Sequence, residues 1–123
     1  MTRSREMSYG EGRTRITLTS SYLGNDMLIS IHNDNAHLGA VAVAEHDPDS
    51  GRTSTSLITR RGHKDDVIAQ KVAYLVTKGT KRATCVIAGI HIDSITEAEI
   101  NEIVANADHL SNELITEEKT DER

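Results

Sequence analysis

The chain has 123 residues, which is enough for one domain with a single modest core. Its formal charge of −5, from 14 Lys and Arg against 19 Asp and Glu, argues against a nucleic-acid-binding surface. No apolar run approaches the roughly 20 residues that cross a bilayer. The N-terminal residues lack the apolar centre of a signal peptide, and the single cysteine, Cys85, excludes an intrachain disulfide. We therefore expect a cytoplasmic protein.

The composition predicts an aliphatic core, because the chain has no Phe, no Trp and only three Tyr. Residues 1–13 are predicted to form a flexible, mildly basic arm, and residues 116–123 a charged tail around a single domain over 14–115. The first half of that domain predicts four strands with turn residues between them, at 15–21, 27–32, 38–46 and 53–60. Alanines alternate with valines in the third strand, so a helix or a second subunit could approach its alanine face closely.

A helix is predicted over residues 64–78, where apolar residues recur at helical spacing, with Gly79 as its C-terminal stop. A fifth strand over 83–92 is apolar on both faces, which predicts a central position in the sheet. Thr96 and Glu99 form a capping box at the start of a last helix. The order β-β-β-β-α-β-α predicts an α+β domain, an antiparallel β-sheet meander with two packed helices.

The apolar stripe of the last helix could face its own sheet or a partner subunit, since its spacing alternates three and four residues. Under the second alternative it would form the seam of a homodimer. The residues of this stripe are Ile103, Ala107, Leu110 and Leu114.

The segment "RRGHKDD" gathers cations directly before the predicted first helix. A helix N-terminus offers free backbone N–H groups and the positive end of the dipole, so the segment could bind an anion. Gly62 would let the backbone approach a ligand, and His63 and Lys64 could donate to a phosphate. A capped helix start in a solvated loop explains the same residues. No Walker or GxGxxG motif is present.

Histidines mark two further candidate positions. If the second and third strands pair around the turn between them, His32 and His37 lie together and, with Asp34, could hold a metal or a ligand's polar edge. Their spacing matches no zinc signature, and we predict no metal site. His91 follows Gly89 at the end of the predicted central strand, a frequent ligand position, although a half-buried structural histidine is the simpler interpretation. Cys85 is interpreted as core, since no neighbouring charge or base would activate it.

Three stretches together, "NDNAHLGAVAVAE", "RRGHKDDVIA" and "AGIHIDSITEAEINEIV", resemble the LpdD-like prenylated-flavin chaperone family. This family is the small D subunit linked to gallate and hydroxybenzoate decarboxylases. The resemblance extends from about residue 13 to residue 114. It implies a fold similar to the proteasome assembly chaperone domain.

The resemblance also implies a function: a non-catalytic carrier that binds reduced prenylated FMN and delivers it to UbiD-like decarboxylases, as a homodimer. The matching positions that it implies for cofactor binding are His37, Gly39, Arg61, Gly62, His63, Lys64, Asp66, Gly89 and His91. Asp93 belongs to the same motif as His91. In the family a Gly-rich turn precedes the first motif, whereas this chain has "NDN", so the roles of Asn33 and Asp34 stay open. Arg61 stands where a proline is frequent.

Three hypotheses follow. The first is the prenylated-flavin carrier. The second is a cofactor-independent assembly subunit of a decarboxylase complex. The third is a small enzyme that uses His37 and His91 as acid and base. The sequence does not identify the decarboxylase or its aromatic substrate, or whether the cofactor would lie within one subunit or across an interface.

Overall fold

The computed structural model describes residues 4–60 and 65–121. In this part of the chain the strands are β1 (Arg5–Tyr9), β2 (Ile16–Leu23), β3 (Asp26–His32), β4 (Ala40–His46), β5 (Thr53–Thr59) and β6 (Thr84–Gly89). The helices are α1 (Asp66–Thr80) and α2 (Glu97–Asp121), with a short 3-10 turn at Gly12–Thr14. Neither α1 nor α2 is long and apolar enough to cross a membrane.

The strands form one six-stranded mixed sheet in the order β1-β2-β3-β6-β4-β5. The α+β class is confirmed, and so is the central position of β6. The uninterrupted meander is wrong, because β6 lies between β3 and β4, parallel to the first and antiparallel to the second. A strand that is apolar on both faces is most stable in the centre of a sheet, where both of its edges are paired. In this sheet β6 takes that position and separates β3 from β4, which are neighbours in the sequence.

Both helices pack on one face of the sheet and leave the other face, which we call the open face, without a covering layer in the described residues. Ala40, Ala42 and Ala44 of β4 are fully buried beneath α1, because alanine allows the helix backbone to approach closely. The stripe of α2 is buried within its own domain, with Leu110 and Leu114 both at 0% exposure. The prediction that this stripe forms a dimer seam is therefore wrong.

Both chain ends are more ordered than the sequence predicted. Residues assigned to a flexible arm form β1, which pairs antiparallel with β2, and residues assigned to the tail extend α2 to Asp121. The two ends are joined by Arg5, whose guanidinium donates to Glu118 at 3.2 Å and to Glu117 at 2.8 Å. Glu118 is buried and also accepts a hydrogen bond from the Tyr22 hydroxyl. Arg5 and Glu118 are 113 positions apart, so no local sequence pattern indicates their ion pair.

The helix ends show one correct prediction and one error. At the start of α2, the Thr96 N–H donates to Glu99 Oε1 at 3.0 Å, and the Glu99 N–H donates to Thr96 Oγ1 at 3.1 Å, so the capping box is confirmed. At the end of α1, the helix continues through Gly79, and Lys81 takes the left-handed conformation with φ of 63°. Gly79 is required by packing, since a Cβ there would lie 2.8 Å from Ile115 of α2.

Candidate functional site

The loop of residues 33–39 crosses over the carboxyl end of β6, because it must join β3 to β4 on either side of that strand. The crossing is close: a Cβ on Gly89 would lie 1.5 Å from the carbonyl oxygen of His37. The Gly39 N–H donates to the Ala88 carbonyl at 2.9 Å, which fixes the far side of the loop. The strand pairing that would have placed His32 beside His37 does not occur, because β6 lies between β3 and β4.

Asn33 fastens the near side of this loop. Its side-chain amide donates to the His91 carbonyl at 2.8 Å, and its Oδ1 accepts from the backbone N–H groups of Asn35 at 3.1 Å and of His91 at 3.3 Å. The "NDN" segment therefore has a structural role: it joins the end of β3 to the chain that leaves β6. A buried asparagine with these three partners holds both segments in one arrangement.

Asp65 connects the start of α1 to the same place. Its side chain makes no capping bond to its own helix. Instead Oδ1 accepts from the Ile90 N–H at 3.0 Å, and Oδ2 lies 3.1 Å from Nε2 of His37. Gly39 is needed beside it, since a Cβ there would lie 1.9 Å from Oδ2. Sequence reasoning missed this residue, because an aspartate directly before a helix is read as a cap.

These segments line an open cavity of about 480 Å³ on the helix side of the sheet, at the end of β6 and the starts of α1 and α2. That volume lies within the range of small-molecule sites, about 300–1,000 Å³. One part of the lining is polar, with His37, Asp65, Asp66 and His91. The rest, which we call the aliphatic wall, consists of Val67, Ile68, Ile90, Ile92, Ile95, Ile100, Ile103 and Val104.

The two histidines of the cavity approach each other edge to face, with ring centroids 6.2 Å apart and an interplanar angle of 80°. His37 is the more enclosed of the two. His91 is largely exposed, and its Nε2 lies 2.9 Å from Oδ1 of Asp93. Both imidazole rings are thus oriented by carboxylates. The Nδ1 atom of His37 also lies 3.4 Å from the Asn35 carbonyl oxygen, so the groups that can bond to the polar edge of a ligand are those of His91 and Asp66.

The structure brings three of the predicted site residues together at the cavity: His37, Asp66 and His91. Gly39 and Gly89 lie beneath it, where they permit the close chain crossings. Arg61, Gly62, His63 and Lys64 lie outside the described residues, immediately before α1. The Asp66 carboxylate accepts from the Val67 N–H at 3.0 Å.

Over residues 4–60 and 65–121, no three His, Cys, Asp or Glu side chains are grouped as metal ligands. Cys85 is not in the core: it lies half-buried on the open face, because β6 directs alternate side chains to opposite faces.

A family model described as the prenylated flavin chaperone LpdD-like domain matches residues 10–119. The chain belongs to this family. The match includes every strand and helix except β1 and the last residues of α2. Membership supports a chaperone role connected with prenylated flavin. No curated protein sequence shows significant similarity to the chain.

The fold is that of a proteasome assembly chaperone. The chain is similar to a chain in a crystal structure of a chaperone complex for yeast 20S proteasome assembly, with a TM-score of 0.61 and 15% sequence identity. The similarity covers 97% of this chain and 96% of the other. At this identity it shows the fold alone, and the fold implied by the sequence resemblance is confirmed.

Proposed function

We propose that this protein binds reduced prenylated FMN as cargo in the cytoplasm and delivers it to a UbiD-like aromatic acid decarboxylase, without catalysing a reaction itself. Family membership supports the cargo class. The observation that carries the proposal is the cavity at the end of β6, where a fixed polar part adjoins an aliphatic wall.

The polar part and the aliphatic wall of the cavity match the polar and the apolar groups of the cargo. The flavin pyrimidine edge and the ribityl chain offer hydrogen-bonding groups, which His91 and Asp66 can satisfy, while the ring of His37 lies beside them as a contact surface. Asp66 accepts hydrogen bonds, so it suits a ring N–H or a hydroxyl and not a phosphate. The ring added by prenylation is aliphatic, and so is the wall formed by Ile95, Ile100 and their neighbours. Since no Phe, Trp or Tyr is among the described lining residues, the apolar contacts to the flavin ring would come from aliphatic side chains.

The phosphate is assigned to the start of α1. The positive end of the dipole of this 15-residue helix attracts an anion. The Asp65 carboxylate is turned toward Ile90 and His37, so it does not cap the helix. Residues 61–64 precede this helix end in the sequence: Arg61 and Lys64 carry positive charge, His63 can donate to a phosphate, and Gly62 lets the backbone approach it. Gly39 and Gly89 contribute indirectly, through the chain crossings that place His37.

Anaerobic titration with reduced prenylated FMN and with reduced FMN tests the proposal. We expect the prenylated form to bind more tightly, and Lys64→Ala and His63→Ala to weaken both flavins because both carry the phosphate. Lys78→Ala, at the opposite end of the same helix, is the matched control. Binding of neither flavin by the wild type would overturn the proposal. Unchanged binding by Lys64→Ala and His63→Ala would overturn only the phosphate assignment.

Delivery has its own test, because a carrier has to release its cargo. The loaded protein should transfer the flavin to an apo-decarboxylase and generate decarboxylase activity, while the isolated chain should show no turnover. Cargo that stays bound in the presence of excess apo-decarboxylase would contradict the carrier function. Turnover by the chain alone, lost in His37→Ala or His91→Ala, would favour the small-enzyme hypothesis instead.

A second candidate function is that of a cofactor-independent assembly subunit. The apolar open face favours it, because such a surface is suited to contact with another protein. This function predicts a stable complex with the apo-decarboxylase in the absence of any flavin. A complex that forms only with the loaded protein would exclude it.

A further inference from the structure

β5 forms one edge of the sheet, because among the described strands only β4 pairs with it. At the two ends of this pairing, the Arg60 N–H donates to the Gly39 carbonyl and the Asp47 N–H donates to the Arg52 carbonyl. In an antiparallel ladder the backbone groups of successive residues point to alternate sides, so every second residue of β5 directs its N–H and C=O groups away from β4. These outward-facing residues are Thr53, Thr55, Leu57 and Thr59.

The two edges of the sheet differ in their protection against further pairing. Edge strands of soluble proteins commonly carry charges, proline or a covering element, which prevent pairing with other chains. At the opposite edge, β1 contains Arg5 and Glu6, and Arg5 is bonded to the C-terminal part of α2. β5 is seven residues long and contains neither a charged residue nor proline. An unprotected edge of this length is suited to the addition of a further strand.

A groove runs between this edge and α1, on the helix side of the sheet. Its volume is about 370 Å³, and it is lined by Thr55 of β5 and by Val67, Gln70, Lys71 and Tyr74 of α1. The four α1 residues recur at a spacing of three or four, so they lie along one side of the helix. Val67 is 56% exposed and Tyr74 is 38% exposed, so the groove offers apolar surface that the described residues leave open.

The groove also contains an unpaired polar group. The hydroxyl of Thr55 is buried and has no hydrogen-bond partner in the part of the chain that the structure describes. A buried polar group left unpaired costs about 1–3 kcal/mol. The outward N–H and C=O groups of β5 and this hydroxyl can all be satisfied by a polypeptide backbone, which has donors and acceptors in alternation.

We propose that the edge of β5 is the docking site for an extended acidic segment of the decarboxylase that receives the cargo, which adds to the six-stranded sheet as a further strand. The backbone of the segment pairs with the outward-facing residues of β5, and every second side chain enters the groove. An apolar side chain fits between Val67 and Tyr74, and a carboxylate fits near Lys71. This inference rests on the proposed function, because it takes the recipient of the cargo as the partner.

The charges around the groove favour an acidic segment. The chain has a net charge of −5, yet no carboxylate is among the described residues that line the groove. Lys71 lines it and also contacts Asp108 of α2 at 2.9 Å, and Lys78 lies further along the same helix. Arg52 directly precedes β5 and Arg60 directly follows it. Opposite charges around a contact guide the encounter of two proteins and fix their register.

The position of the groove favours the recipient enzyme as the source of this segment. Val67 lines both the groove and the cavity, so the two are adjacent at the start of α1. At the end of β5, the Arg60 guanidinium donates to the Leu38 carbonyl at 2.8 Å, which joins this edge to the crossing loop. A segment bound along β5 therefore brings its protein to the mouth of the cavity, where the cargo has to pass from one protein to the other.

Residue-resolved hydrogen exchange of β5, with and without an excess of a UbiD-like apo-decarboxylase, tests this proposal. We expect the outward-facing amides to exchange at least about tenfold more slowly in the complex, since each gains a hydrogen bond in a water-excluded contact. The amides between them already bond to β4 and should change little. This alternating pattern distinguishes an added strand from a surface that is covered without backbone pairing.

Two variants remove different parts of the contact. Thr55→Pro deletes one outward N–H, and an edge strand tolerates proline where the N–H faces away from its neighbour. Tyr74→Glu places a carboxylate where the segment brings its own. Each should weaken the complex at least about tenfold. Tyr9→Glu is the matched control and should bind the decarboxylase as the wild type does, because Tyr9 is similarly exposed, at 41%, and lies on β1 at the opposite edge.

Circular dichroism and an unchanged flavin affinity would show that the variants are folded. Unchanged exchange in β5 in the presence of the decarboxylase would overturn the proposal, as would equal protection of the inward- and outward-facing amides. Alternating protection that depends on chain concentration alone would assign the edge to a second copy and overturn the stated partner. Flavin titration of the same samples reports the carrier function separately: a chain that binds and transfers flavin without protection in β5 keeps that function and loses this docking site.

Discussion

Nε2 of His37 lies 3.1 Å from Oδ2 of Asp65, so the loop that crosses β6 is held to the first residue before α1. The other carboxylate oxygen of Asp65 accepts from the Ile90 N–H at 3.0 Å. One buried side chain thus joins three segments of the cavity. Asp65 is accordingly a positioning residue: it holds His37 toward the cargo without itself being required to touch it.

Asp65→Ala should destabilise the protein and weaken flavin binding together. The substitution leaves the Ile90 N–H unpaired and removes the support of the His37 ring, which costs about 2–3 kcal/mol of unfolding free energy. Asp66→Ala is the matched control for stability alone, because the half-buried Asp66 carboxylate accepts only a local bond from the Val67 N–H. Urea denaturation of both variants measures the difference. Equal stability of the two would contradict a joining role for Asp65.

Gly89→Ala should displace the crossing loop. The added Cβ would lie 1.5 Å from the His37 carbonyl oxygen, a backbone atom that cannot move alone. Gly51→Ala is a useful comparison, because no heavy atom lies within 4 Å of its Cβ position and only its φ of 75° is strained. That strain costs about 1–2 kcal/mol. Thermal denaturation should show a larger loss for Gly89→Ala, with a parallel loss of flavin affinity. A smaller loss would mean that the loop accommodates the methyl group.

Ile100→Ser should reduce the preference for prenylated over ordinary flavin, if the aliphatic wall contacts the prenyl-derived ring. Loss of this contact should weaken binding of reduced prenylated FMN by at least about tenfold, because burying an isoleucine side chain contributes about 1.5–3 kcal/mol. Ile58→Ser, on the open face, is the control and should leave both affinities unchanged. Equal weakening of both flavins by Ile100→Ser would place the selectivity elsewhere.

Glu118→Ala should destabilise the protein by about 1–3 kcal/mol, because it leaves the Tyr22 hydroxyl without its acceptor and removes the buried partner of Arg5, which keeps its surface partners. Glu117→Ala removes another partner of the same arginine and is therefore a close control. The Glu117 side chain is 43% exposed against 2% for Glu118, so its loss should cost about 0–1 kcal/mol. Chemical denaturation distinguishes the two. Similar losses would show that burial does not set the strength of these pairs.

Glu99 should make the start of α2 sensitive to acid. The backbone N–H of Thr96, aided by hydrogen bonds from Arg13 and the Thr96 hydroxyl, lowers the pKa of this carboxyl below its usual range. Because the pKa is lower in the folded state, the contribution to stability is present above the unfolded pKa and is lost as pH falls through the folded one. The protection of the Thr96 amide, which is its exchange rate relative to the intrinsic rate at each pH, should be lost over that interval in the wild type. In Glu99→Gln, exchange should show no such pH step.

Local signals in the sequence were sufficient for much of the fold. Alternating side chains located β2 to β5, and the Thr96–Glu99 spacing located the start of α2, because these features depend on residues close together in the chain. Strand order was not accessible in this way. The apolar character of β6 indicated a central position, but nothing local indicated that it would separate β3 from β4.

Individual residues of the site could be predicted from the sequence, whereas the contacts between them could not. His37, Asp66 and His91 were found through the family motifs, and all three line the cavity. The partners that orient them were missed, since the bonds of Asp65 to Ile90 and of Asn33 to His91 exist only after β6 passes beneath the loop. The aliphatic wall could not be predicted either, because its residues come from α1, α2 and the segment after β6, which are separate in the sequence.

The position of β6 also shapes how the chain reaches its native state. Before β6 is available, β1–β3 and the β4–β5 hairpin share no strand pairing, and both β3 and β4 present unpaired edges. During synthesis the chain therefore emerges as two open pieces, whose exposed edges can pair with other nascent chains. Only when residues 84–89 leave the ribosome can the two pieces close, and pairings so distant in sequence form slowly. Premature termination before β6 would leave fragments prone to aggregation.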